Sequence, residues 1–100
     1  MNLIKIRGKA IKNKEGQLFD IFKAEFTDKK TQEKREFKSY NFSIKDEKNI
    51  YRCKSNFEPD LDILSEDEII AIGEYVNKYD SDKKVSYTHF QIEDIKKSSF

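Results

Sequence analysis

GEYVNKYDSDKKVSYTHFQIEDI, from Gly73 to Ile95, admits two readings. In one, a helix that begins near Glu66 ends at Tyr79 and a single strand follows. In the other, the stretch is a β-hairpin with Asp80 to Lys84 at its tip. For the helix stands SEDE, Ser65 to Glu68. It has the form of a capping box, in which the Ser hydroxyl caps a backbone N–H and the Glu reaches back. Ile69, Ile72, Val76 and Tyr79 then recur at helical spacing. For the hairpin stand Ile70, Ile72 and Val76 at even spacing, and a polar turn between two runs rich in Val, Tyr and Ile. Gly73 also counts against the helix, at up to about 1 kcal/mol relative to Ala. Local signals lean slightly to a helix over 66–79, which would make the fold α+β. The closing run is a strand either way: Val85, Tyr87, His89 and Gln91 lie on one side, Ser86, Thr88, Phe90 and Ile92 on the other.

Upstream, period-two patterning dominates. In LIKIRGKAIK, Ile4, Ile6, Gly8 and Ala10 share one face, while Lys5, Arg7 and Lys9 take the other. Asn13 to Gly16 has turn chemistry. QLFDIFKAEFT is a second strand, with Leu18, Phe22, Ala24 and Phe26 on one face and Lys23 and Glu25 opposite. After the polar Asp28–Lys34 loop, REFKSYNFSI is a third, with Tyr40, Phe42 and Ile44 on a common face. Three strands with short connections predict an antiparallel meander. Asn49 to Lys54 either extends the third strand past a break or forms a short fourth. Pro59 lacks a ladder donor, so FEPDLDILSEDE reads as a loop or edge crossing.

One hundred residues make one domain. The apolar share is low at 36% and the charged share high at 39%, but 13% of the chain is aromatic. Large rings bury much area each, so a small core forms and wholesale disorder does not fit. The lone cysteine, Cys53, excludes an intramolecular disulfide. No apolar run has the length of a signal peptide core or a membrane span. The chain reads as soluble, cytoplasmic and free of membrane partners.

A net charge of +1 conceals an asymmetry. Residues 1–54 carry fifteen cations against eight acids, whereas residues 55–83 carry two against nine. Segregation of this kind concerns partners rather than fold. Its plainest meaning is two solvated faces that attract each other within the monomer.

IIAIGEYVNKYDSDKKVSYTHFQIEDI resembles the last two strands of OB-fold proteins of the single-stranded-DNA-binding type. Ile70 and Ile72, Gly73, the charged tip Asp80 to Lys84, and the acid-containing tail Ile92 to Ile95 carry the likeness. The N-terminal strands, with Gly8 in the first, are similar to that family's first three. The chain departs from the family in its acidic middle and its capping box. The resemblance implies a mainly β fold, a small antiparallel five-stranded OB-like barrel. It also implies a single-stranded DNA or RNA partner.

Single strands are held by a cationic groove with stacking rings. Lys5, Arg7, Lys9, Lys23, Arg35 and Lys38 alternate with apolar positions and are the candidate cations; their plain alternative is a solvated sheet face. Phe19 and Phe37 are candidate rings that a small core also needs. Tyr40, Tyr51 and Tyr87 tolerate partial exposure better. Chemistry of other kinds finds little purchase. His89 is the one histidine, DLDILSEDE lacks the central Gly and terminal Glu spacing of a calcium loop, and Cys53 has no orienting partner. The expectation is a non-enzyme with no cofactor and no metal. A second reading is a protein-binding inhibitor or adaptor of the phage or mobile-element kind. The acidic segment 58–68, through Asp60, Asp62, Glu66 and Asp67, would imitate a phosphate backbone and occupy a basic channel on a nucleic-acid-processing protein. Assembly through edge strands, as a homo-oligomer, is a third expectation.

Overall fold

The computed structural model describes residues 2–98. Six strands appear in chain order: β1 (Ile4–Ile11), β2 (Asp20–Thr27), β3 (Lys34–Lys45), β4 (Ile50–Ser55), β5 (Ile69–Asp80) and β6 (Val85–Lys97). A one-turn helix, α1 (Leu61–Leu64), lies between β4 and β5. Among the described residues no helix is long and apolar enough to cross a membrane.

The stretch quoted first is a hairpin. β5 and β6 pair antiparallel from Ile69 opposite Lys97 to Asp80 opposite Val85. The helix expected over 66–79 does not form, and the α+β alternative falls with it. Tertiary pairing overrides the local pattern: β1 occupies one edge of β5, with Ile6 opposite Ala71, and β6 occupies the other. Both edges of β5 are thus satisfied from Ile69 to Gly73, and Ile69 and Ala71 are fully buried. Gly73 also finds its explanation here. At the register shift between Ile72 and Gly73, a Cβ on Gly73 would stand 2.0 Å from the carbonyl oxygen of Gln91. SEDE is no capping box either. Ser65 closes α1, its hydroxyl donating to the Leu61 carbonyl at 2.6 Å, and Glu68 lies beside Arg7.

The first three strands do not form the expected meander. β1 and β2 never pair with each other; they follow one another along the same edge of β3. Ile11 stands opposite Ser43, and Asp20 resumes opposite Asn41. The intervening residues 12–19 loop out and are tied off by Asn13. Its amide donates to the Gln17 carbonyl at 2.8 Å, its Oδ1 accepts from the Glu15 and Gln17 amides, and its Nδ2 donates to Asp20 at 2.6 Å. β1 and β2 are in effect one interrupted strand. On that count the six strands make a five-membered ring: β1 pairs β5, β5 pairs β6, β6 pairs β4, β4 pairs β3, and β3 returns to β1. Two narrow seams close it. One is the three-pair contact of β1 with β3, the other a two-pair parallel contact of β4 with β6, the sole departure from antiparallel pairing among the described residues.

Inside the ring lies the core: Ile6, Ala10, Phe42, Ile44, Cys53, Ile69, Ala71, Phe90, Ile92 and Ile95, with Leu64 of α1 capping it. The inward set matches the alternation of β1, β3 and β6 expected from the sequence. Two hairpins reach beyond the ring. One is β2 with the first half of β3; the other is the outer half of β5 and β6.

Candidate nucleic-acid interface

A groove of about 540 Å³ crosses the outer face of β3 and β4. The two ends of the looped-out segment, Lys12 and Asn13 with Leu18 and Phe19, wall one side together with Asp20, and Ser86 to His89 of β6 wall the other. Its floor follows from strand alternation. Phe42, Ile44, Cys53 and Ser55 point into the core, so their neighbours Asn41, Ser43, Arg52 and Lys54 must point out. Ser43 stands opposite Arg52, Asn41 opposite Lys54, and Lys54 opposite Gln91 across the parallel seam. Lys12 adds a third cation from the loop, and Tyr87, 49% exposed, adds a ring from the far wall.

His89 is buried among these groups, its Nε2 3.2 Å from the Gln91 Oε1. Loss of solvent holds its pKa below the ordinary histidine value, and Lys54 and Lys78 add to the effect against the Gln91 contact. The ring is therefore neutral at physiological pH, in a wall where cations outnumber acids. Cys53 neighbours β6 but faces the core, with Phe90 rather than His89 as its register partner. Burial pushes its thiol up to about 12, so it stays protonated and unreactive.

The cations singled out from the sequence fall in two separate places, and the tyrosines divide between the groove and the inward side. Lys5, Arg7 and Lys9 lie on the outer face of β1, away from the groove. Arg7 pairs with Glu68 at 3.6 Å and Lys9 with Asp67 at 3.7 Å. Lys23, Arg35 and Lys38 lie on the β2–β3 hairpin beyond the ring. Lys23 stands directly opposite Lys38, which reaches Glu36 at 3.7 Å, and Arg35 reaches Asp28 at 3.7 Å. Of the tyrosines, Tyr87 alone lines the groove. Tyr40 turns inward and meets Phe19 edge-on, with centroids 5.8 Å apart. Tyr51 also turns inward, and its phenol donates to Asp46 at 3.0 Å. That bond raises the pKa of Tyr51, while the Asn49 and Lys48 amides lower that of Asp46.

The acidic segment folds back on the chain itself. Asp60 caps α1 by accepting from the Asp62 amide at 2.8 Å, Glu66 pairs with Lys97 at 3.3 Å, and Asp67 pairs with Lys9. Asp62 stands in the first turn of α1. Lys12, Arg52 and Lys54 were not singled out from the sequence. The signal existed in YRCKS, where Arg52 and Lys54 alternate with Tyr51, Cys53 and Ser55 once that stretch is taken as a strand.

No family model matches the chain, and no curated protein matches it. Among solved structures it is similar to the crystal structure of a small single-stranded DNA binding protein from Mycoplasma pneumoniae. The TM-score is 0.55 at 11% identity, over 100% of this chain and 96% of that one. The fold is OB-like. In OB-like terms the interrupted β1–β2 is the first strand, β3 and β4 are the second and third, and β5 and β6 the last two, so the groove lies on the second and third strands. Identity at this level carries the architecture and no residue roles.

Proposed function

We propose that the chain binds single-stranded nucleic acid in the groove across β3 and β4. The observation that carries this reading is the coincidence of three cations and an exposed ring on one face. Lys12, Arg52, Lys54 and Tyr87 converge where OB-folds take oligonucleotides, the face of the second and third strands flanked by two loops. Phosphates would lie along Arg52 and Lys54, which are free of side-chain ion pairs among those found in the described residues. Bases would stack on Tyr87. Asn41, Ser43 and Gln91 offer hydrogen bonds without a sequence code. The Mycoplasma protein's description supports the same partner class. The function is binding rather than catalysis: the buried thiol of Cys53 is held protonated, and His89 hydrogen-bonds to Gln91, on the opposite face from Cys53. Less supports the inhibitor reading, because three of the four carboxylates it needs contact the chain itself, Glu66 at Lys97, Asp67 at Lys9 and Asp60 at the start of α1.

Fluorescence anisotropy of a labelled oligo-dT tests the reading. Binding is expected in the micromolar range, weakening steeply as salt rises, since each phosphate contact releases counterions. Arg52→Glu with Lys54→Glu should weaken it by about tenfold or more. Absence of binding at low salt, or an unaffected double variant, rejects the groove.

A further inference from the structure

We propose that β2 is a self-association edge, pairing antiparallel with β2 of a second copy of this chain in the register that sets Ala24 opposite Ala24. β2 hydrogen-bonds to β3 on one side and to no described strand on the other. None of its residues is buried. A long, exposed, apolar strand edge is a template for another strand. The Asp28 amide donates to the Glu33 carbonyl at 2.9 Å, which fixes the phase of the hairpin ladder. Even-numbered residues of β2 bond to β3, so the amides and carbonyls of Ile21, Lys23, Glu25 and Thr27 point to the free side.

The strand DIFKAEFT is complementary to itself in one register. With Ala24 on the twofold axis, Lys23 meets Glu25 of the other copy and Phe22 meets Phe26 of the other copy, each twice by symmetry. Lys23–Glu25 and Ile21–Thr27 become hydrogen-bonded pairs, giving about eight backbone bonds across the axis. The phenylalanines fall at the closer, non-hydrogen-bonded positions. Phe22 and Phe26 are 54% and 53% exposed in the monomer, and Phe37, on the same face, 47%. The register one residue pair away, by contrast, sets Lys23 against Lys23.

An independent observation points the same way. The hairpin's own register sets like against like: Lys23 faces Lys38, and Glu25 faces Glu36. Like charges directly opposite are destabilising. A second β2 supplies the missing opposite charge to both residues from the free side. Pairing would also carry the aromatic face, Phe37, Phe22 and Phe26, across the axis into the same residues of the other copy.

Sedimentation velocity on the full chain, without nucleic acid, tests this apart from the binding reading. The wild type should show a concentration-dependent monomer–dimer equilibrium. Lys23→Glu and Glu25→Lys should each weaken it by about tenfold, since each replaces two attractive pairs with two repulsive ones. Neither should harm the hairpin, because each removes an internal like-charge pair. The double variant should restore dimerisation. Lys23→Pro, which removes an amide on the free side alone, should give monomer with an unchanged circular dichroism spectrum; if that variant does not fold, the charge swap still decides. A wild type monomeric at its highest soluble concentration overturns the proposal. So does a dimer indifferent to both single charge variants, or one that the double variant fails to restore.

Discussion

β3 runs through two different surroundings, and the contrast between its halves is instructive. In its second half Phe42 and Ile44 are 5% and 0% exposed, enclosed by β1, β4 and the far side of the ring. In its first half Phe37 is 47% exposed, and it shares the outer face of a two-stranded hairpin with Phe22 and Phe26. Both halves alternate, and both carry phenylalanine. Alternation decides which side of a sheet a residue takes; burial requires a second layer over that side. The ring supplies that layer to the second half, and the hairpin leaves the first half without it. The chain therefore has a stable body and an arm whose apolar residues contribute little to folding and remain available to partners.

The largest expected difference is in stability. Phe90→Ala, at a site 1% exposed, should cost about 3–5 kcal/mol in urea denaturation, whereas Phe26→Ala should cost the monomer under about 0.5 kcal/mol. Equal losses would break the distinction between body and arm. Glycines should divide similarly. Gly73→Ala drives a methyl into the Gln91 carbonyl and should cost about 3 kcal/mol. Gly16→Ala meets no atom within 4 Å and should cost about 1 kcal/mol, through its φ of +79° alone. Denaturation midpoints compare the two.

Binding sharpens the comparison at a smaller scale. Against the tenfold or greater loss expected for the Arg52 and Lys54 reversals, Lys5→Glu with Arg7→Glu should change oligo-dT affinity by less than about threefold, because those side chains act only through the screened long-range field. A larger effect would move the interface onto β1. His89 adds a pH test. Its folded pKa lies below the ordinary value of 6.5, so the unfolded chain binds more protons between the two. Its contribution to stability is complete above about pH 6.5 and is lost as pH falls through the folded pKa. A proton NMR titration of the His89 ring should show the lowered midpoint, and oligonucleotide in the groove should raise it. A midpoint at or above the ordinary value would place the ring in solvent. The smallest effect belongs to the ion pairs of the acidic segment. Asp67→Asn and Glu68→Gln should each alter stability by under about 0.5 kcal/mol, since both carboxylates are largely solvated.

The sequence by itself determined the strand-rich class and the faces of β1, β3 and β6, and it carried a resemblance to OB-folds; the tip at Asp80 to Lys84 it offered only as one of two readings. The strand class and the faces follow from period-two alternation, which acts between near neighbours. It misled at Ser65 to Tyr79, where a helical spacing of isoleucines competes with an even one. Only the pairing of β5 with both β1 and β6, and the approach of Gln91 to Gly73, decides for the strand. It scattered the candidate cations, because a strand's alternation says which residues point outward but not which outward faces adjoin. Lys5, Arg7 and Lys9 share a pattern with Arg52 and Lys54, yet the ring turns β1 away from β4, and the acidic segment meets the first group alone. The looping-out of residues 12–19, which lets two strands serve as one and raises a wall beside Arg52 and Lys54, was decided by the tertiary structure, since a seam between residues far apart in the chain leaves no local trace.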